Sequence, residues 1–254
     1  MKNPASLVGK TVLIVEDEDE LREPLALEFE SLGSHVFQAS NGVQGYDIIT
    51  QQDIDVVISD IRMPGGDGIE MLSKIKALPR RTPVVMLITG FSDVSLEETY
   101  ARGAEAILAK PFDLDDIETT VERLLTPPAE RWAAPFAPPE RIKRHLERTC
   151  ESLEAAAREG VLSLGKGGFF LGRPQPHEKT NVGNLVSFHV TFEKGEALVF
   201  EGTGILRWMR PQETAELQSG CGIEFCSLAP NTRDAVLRLV EKLPSPSYLP
   251  RNAP

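Results

Sequence analysis

No stretch of about 18 or more apolar residues occurs in this 254-residue chain, which excludes a recognisable membrane-spanning helix. Residues 1–10 also lack the basic start and apolar run of a secretory signal, so a cytoplasmic protein is expected, with no insertion into a membrane. Cysteine is scarce. Cys150, Cys221 and Cys226 have no second Cys or His pair at a metal-knuckle spacing, which argues against a disulfide framework or structural zinc and leaves three buried thiols. Positive charge is scarce in one half only. Residues 1–128 carry 11 Lys+Arg against 23 Asp+Glu, a balance of −12, and residues 129–254 carry 16 against 15, a balance of +1. An acidic first half repels nucleic acid and attracts cations and basic partners.

From residue 10 to 125, apolar runs rich in β-branched residues alternate with amphipathic stretches. The runs are Thr11–Val15, His35–Ala39, 56–59, 83–88 and 106–108; the helical segments include 25–32 before Gly33, 68–78 before Pro79, and Leu114–Leu125 before Pro127. This pattern predicts an α/β domain with a doubly wound, parallel, five-stranded sheet, whose functional residues gather at the carboxyl ends of the strands. Residues 126–139 contain five prolines and predict a boundary, so the expected organisation is a tail 1–9, a first domain 10–126 and a semi-stiff linker 127–139.

Beyond the linker, 140–159 predicts a connecting helix (140–160 with its stop at Gly160), carrying Ile142, Leu146, Cys150, Leu153 and Ala157 on one stripe. Its apolar stripe offers a surface for a homodimer, as does the first domain. Residues 186–192 then alternate apolar and polar side chains, and strand-like runs follow at 169–171, 197–200, 204–209 and 222–225. A small antiparallel β-barrel domain over 161–245 is expected. It closes with a helix at 231–243, capped by Asn231 or Asp234, before a tail 246–254. Trp208 reads as core, and Gly167–Gly168 as a tight turn.

The predicted topology carries Glu16 and Asp17, Asp60, Thr89 and Lys110 to one sheet edge. Clustered carboxylates favour a hard divalent cation, Mg2+ above all, and a metal beside Asp60 lets that carboxylate attack a phosphoryl group. Lys110 and the Thr89 hydroxyl would hold the remaining phosphoryl oxygens. Any one of these residues alone reads as a turn former, a cap or a solvated charge, and it is their convergence that carries the inference.

The segments VLIVEDE, SDIRMPGGDG, LITG and AKPF resemble the receiver domain of two-component response regulators, over about residues 10–125. The resemblance implies transfer from a histidine kinase to Asp60, Mg2+ held by Glu16, Asp17, Asp60 and the Arg62 backbone carbonyl, and helix shifts driven by Thr89. It also implies a cis Lys110–Pro111 bond where trans is the default. Ile107 stands where the family places an aromatic switch residue. A phosphatase of the haloacid-dehalogenase kind uses similar groups, but its general acid would fall at Arg62, which cannot deliver a proton, so a signalling protein rather than an enzyme is expected. Arg62 and Phe91 would instead shield an acyl phosphate from water.

The runs LSLGKGGFFL, GNLVSFHVTF, GTGILRW and GCGIEFCSL resemble the PilZ family over about 161–243. The resemblance implies control of surface motility, pili or exopolysaccharide through a protein target. Cyclic di-GMP binders of that family carry R-x-x-x-R and D/N-x-S-x-x-G elements. Here Arg144 and Arg148 match the first in letters, whereas Ser163 and Gly165 replace the acid or amide and the serine, and Gly168 alone fits. The expectation is against cyclic di-GMP binding, with a two-input regulator as the alternative. No helix-turn-helix spacing or basic recognition helix appears, and DNA is not expected as a partner.

Overall fold

The computed structural model describes residues 7–79, 82–90, 95–173, 181–194, 199–214 and 217–251. By its internal contacts the chain forms two units: Met1–Ser95 with Arg102–Thr126, and Leu96–Ala101 with Pro127–Pro254. Among the described residues no helix is long and apolar enough to cross a membrane.

In the first unit, β1 (Thr11–Val15), β2 (His35–Ala39), β3 (Val56–Asp60), β4 (Val84–Thr89) and β5 (Ala106–Ala109) form a parallel sheet in the order β2-β1-β3-β4-β5. Alternate residues of each strand face opposite layers. Val12, Ile14, Val56, Ile58, Met86 and Ile88 pack under α1 (Asp19–Ser31) and α5 (Leu114–Leu125). Leu13, Val15, Val57, Val85 and Leu87 pack under α2 (Gly42–Gln51) and α3 (Gly68–Lys76). This is the doubly wound five-stranded sheet the apolar runs predict. Residues 7–9 are not a loose tail, for Leu7 is fully buried and the Gly9 amide donates to the Gly33 carbonyl at 2.8 Å.

Asp67 is the N-cap of α3: its Oδ1 accepts from the Ile69 amide at 2.7 Å and the Glu70 amide at 3.4 Å. These bonds satisfy two of the amides a helix start leaves without partners. Asp67→Ala is therefore expected to lower unfolding stability by about 1 kcal/mol, read as a shift of the urea midpoint at constant slope.

The second unit takes in α4 (Leu96–Ala101) and α6 (Pro128–Arg131), then β6 (Arg144–Cys150), α7 (Leu153–Arg158), β7 (Leu162–Leu164), β8 (Gly168–Gly172), β9 (Leu185–Phe192), β10 (Val199–Arg210), β11 (Gly220–Leu228) and α8 (Pro230–Glu241). Its six strands run in the order β6-β9-β10-β11-β8-β7. β6 pairs in parallel with β9, and the other pairs are antiparallel. A curled mixed sheet thus stands where an antiparallel barrel was expected. Its concave face holds Phe169, Phe188, Phe200, Phe225 and Ile223 under Val236 and Val240 of α8.

The connecting helix over 140–160 is not formed. Leu146 and Cys150, four residues apart, fit a helical stripe, but four is also an even number, and both are buried on the inner side of β6 while His145, Glu147 and Thr149 are exposed. Between 139 and 160 only a 3-10 turn at Pro139–Arg141 and the short α-helix Leu153–Arg158 are helical, and the homodimer surface expected on the long helix is lost with it. Nor is 127–139 a tether: Trp132 is fully buried in the second core, edge-on to Phe225 at 5.3 Å, and its carbonyl accepts from the Leu228 amide. Helix α8 starts one residue before Asn231, with Ala229 at its cap position and Pro230 as its first residue. Residues 197–198 of the expected strand 197–200 lie outside the described residues. Cys150 and Cys221 are buried, and Cys226 is half-buried. Burial pushes the Cys221 thiol up to about 12.

Candidate functional site

The site is built by strand ends. β1 runs out at Val15, so Glu16 and Asp17 emerge at its carboxyl end; Asp60 is the last residue of β3, Thr89 the last of β4, and Lys110 follows β5 directly. Parallel pairing of β1 with β3, β3 with β4 and β4 with β5 sets these ends side by side. Carboxylate oxygens of Glu16, Asp17 and Asp60 lie within 4.8 Å of one another. Lys110 Nζ donates to Asp60 Oδ2 at 2.6 Å and to Glu16 Oε2 at 3.1 Å. The Lys110–Pro111 bond is cis.

Local contacts hold each group in place. Asp60 Oδ1 accepts from the Ile61 amide at 2.6 Å and the Arg62 amide at 3.3 Å, which leaves Oδ2 to the lysine. Gly68 opens α3 hard against the Asp60 carbonyl, where a Cβ would collide with backbone. Arg22, which sequence reasoning missed, donates to the Glu16 backbone carbonyl at 2.7 Å and pairs with Asp19. The Arg62 guanidinium lies toward Asp67 at 3.4 Å. Phe91, expected beside it, lies outside the described residues. Thr89 stands at the same edge with its hydroxyl donating to the Gly90 carbonyl at 3.1 Å, and half-buried Ile107 packs on the apolar layer beneath α2 and α3.

Three carboxylates around one ammonium leave an excess of negative charge in a half-closed site. Burial pushes the Glu16 carboxyl above its usual range, and Asp60 adds to this against the opposing Lys110 bond. Burial pulls the Lys110 ammonium down, but the bonds to Asp60 and Glu16 outweigh it and its pKa ends raised. The donors are hard oxygens at mutual distances one cation can bridge, which fits a divalent ion such as Mg2+. Adding Mg2+ at several times its Kd is therefore expected to stabilise the first unit by about 1 kcal/mol. A thermal melt with and without the ion would show the gain in the wild type and its loss in Asp17→Asn.

The second-unit candidates lie on β6, on β7 and at the β7–β8 turn. Arg144 and Arg148 are half-buried strand residues rather than a solvated helical pair, and Arg148 Nη2 donates to the carbonyls of Gly172 at 3.2 Å and Arg173 at 2.9 Å. Ser163 is buried in β7 opposite Phe170. Gly165 and Gly168 close the β7–β8 turn, the Gly165 amide donating to the Gly168 carbonyl at 2.8 Å, and both are covered by residues 248–250.

The family described as response regulator receiver domain matches residues 12–122. Sporulation initiation phosphotransferase F of Bacillus subtilis (strain 168) is 35% identical over 120 residues, spanning 47% of this chain and 96% of that protein. Regulatory protein AtoC of Escherichia coli (strain K12) is 38% identical over 115 residues, 45% of this chain but 25% of AtoC. A crystal structure of a putative response regulator from Chloroflexus aurantiacus J-10-fl is 29% identical, covering 47% of this chain and 99% of that one with a TM-score of 0.44.

Proposed function

The chain belongs to the response regulator receiver family, and we propose that it is a cytoplasmic two-component response regulator in which Asp60 takes a phosphoryl group from a histidine kinase. The observation that carries this reading is Lys110 Nζ at 2.6 Å from Asp60 Oδ2, with Glu16 and Asp17 alongside. An Asp60 carboxylate oxygen attacks the phosphorus of the kinase phosphohistidine; a P–O bond forms as the P–N bond breaks, and the electron pair leaves on the imidazole nitrogen. Lys110 and Thr89 hold the phosphoryl oxygens. Glu16, Asp17, Asp60 and the Arg62 carbonyl would hold Mg2+, which neutralises charge on the transferring group. Receiver proteins are in general signalling proteins, and with Arg62 where a hydrolase would need its acid, this chain is read as no enzyme beyond its own phosphorylation and dephosphorylation.

The test is phosphorylation by acetyl phosphate, or by a phosphorylated kinase, in the presence and absence of Mg2+. Stoichiometric, Mg2+-dependent labelling is expected; none, or labelling indifferent to the ion, would refute the reading.

For the second unit we favour a PilZ-like module that meets a protein target, controlling motility, pili or exopolysaccharide, over a second input from cyclic di-GMP. Three features support this: Ser163 faces the interior, Gly165 and Gly168 are covered, and the Arg148 guanidinium is engaged by two carbonyls. The near-neutral charge of residues 129–254 gives no support to DNA as a partner. Titration with labelled cyclic di-GMP is expected to show no saturable binding up to about 100-fold above the micromolar range, and a micromolar Kd would restore the two-input alternative.

A further inference from the structure

The second unit holds a cavity of about 650 Å³ on the face of its sheet that turns away from the core. Its roof is chain that reads from sequence as linker, with Phe136, Pro138, Pro139 and Ile142 supplying apolar cover. Its floor is polar. Strand β6 contributes His145 and Glu147, β9 contributes Ser187 and His189, and β10 contributes Glu201 and Thr203.

Strand register arranges these six side chains in two rows. His145 stands opposite Ser187 and Ser187 opposite Thr203, while Glu147 stands opposite His189 and His189 opposite Glu201. Neighbouring strands lie about 4.8 Å apart, and residues two apart on a strand share a face, so two imidazoles and two carboxylates project into one patch. One of the four is already aimed. His145 Nδ1 and Ser187 Oγ are hydrogen-bonded at 2.5 Å, which leaves Nε2 for another partner. Glu147 and Glu201 are exposed and, among the described residues, enter no ion pair, so turning either carboxylate toward an ion breaks no salt bridge.

We propose that His145, Glu147, His189 and Glu201 form a second metal centre, one that takes Zn2+ rather than Mg2+. Imidazole is a poor ligand for a hard ion such as Mg2+, whereas Zn2+ accepts imidazole nitrogen and carboxylate oxygen together and fills its tetrahedron with four such donors. Two carboxylates balance the charge of the ion. A ligating histidine ordinarily donates its other ring N–H to a fixed acceptor, and Ser187 fills that place for His145. The donors of Glu16, Asp17 and Asp60 already lie within 4.8 Å of one another; those of the cavity floor close on the ion by rotating exposed side chains. Strand β6 is an edge, bonded in the sheet to β9 alone, and an ion shared by three strands ties that edge across β9 to β10.

The test is a titration of the full chain, stripped of metal with a chelator and returned to excess Mg2+, with Zn2+ and with Co2+ as its coloured substitute. One Zn2+ per chain is expected to survive gel filtration, and Co2+ is expected to give the intense visible absorption of a tetrahedral site without a thiolate band. Glu147→Gln and His189→Ala, both at exposed positions, are each expected to weaken Zn2+ binding by about 100-fold or more, and Ser187→Ala by about tenfold through the freed His145 ring. Asp17→Asn is expected to retain the same single ion, which separates this centre from the acidic cluster of the first unit. A wild type that retains no Zn2+, a thiolate band in the Co2+ spectrum, or affinity unchanged in both Glu147→Gln and His189→Ala overturns the proposal.

Discussion

Asp60→Ala is expected to abolish phosphoryl uptake completely, where loss of any other site residue only slows it. The carboxylate is the nucleophile, and no neighbour can replace it. Glu16 is almost fully buried and hydrogen-bonded to Lys110, and Asp17 belongs with it to the carboxylate cluster read as holding the cation. Lys110→Ala, in contrast, leaves the nucleophile in place. It removes one preorganised cation from the transferring group, a loss of about 100-fold in rate by analogy with single donors of this kind. Gel-resolved incorporation of labelled phosphate separates the two: no band for Asp60→Ala at any time, a late band for Lys110→Ala. Equal rates in the lysine variant and the wild type would remove Lys110 from the reaction.

Arg207→Ala is expected to destabilise the second unit by about 3 kcal/mol, more than any surface change of the same size. Glu224 is 1% exposed, and its two oxygens are satisfied by Arg207 and by Tyr248. Taking away the guanidinium leaves a buried carboxylate without this charged partner. Burial alone would pull Arg207 down; it is Glu224 that holds its pKa above the usual value, which marks the pair as coupled. The companion variant Arg207→Ala with Glu224→Gln keeps the hydrogen bond to Tyr248 and removes the charge, and is expected to recover at least half of the loss. Urea unfolding followed by tryptophan fluorescence reads this unit, because Trp132 and Trp208 both lie in it. A single variant no less stable than the double would mean that the carboxylate is hydrated or protonated in place.

Much of the first unit was legible because its strands are buried on both faces and read as unbroken apolar runs, such as VLIV and VVI. The site followed from the same runs, since each functional residue sits at or just past the end of one. Residues without that positional marker were missed or underread. Arg22 acts through a backbone carbonyl six residues earlier in the chain, and Asp67 acts as a cap, which its place before an apolar periodic stretch could have shown.

The second unit was less legible for a physical reason. Its strand β9 alternates cleanly, yet the partner that completes it at the edge, β6, lies 41 residues earlier when Arg144 is counted against Leu185, and a parallel pairing over that separation leaves no local signature. Apolar residues at 146, 150 and 153 satisfy a period of 3.6 as well as they begin a strand. Trp132 and Tyr248 were hidden in proline-rich surroundings that read as linker and tail. Both are buried because the curled sheet leaves apolar slots that only a distant segment can fill.

The most direct test of the central claim is to treat the protein with acetyl phosphate and Mg2+, digest it, and locate the phosphoryl group by tandem mass spectrometry. One modified side chain, Asp60, is predicted, with the signal absent when Mg2+ is withheld. A phosphoryl group carried by any other residue, or an unmodified Asp60 under conditions that preserve acyl phosphates, would contradict the account.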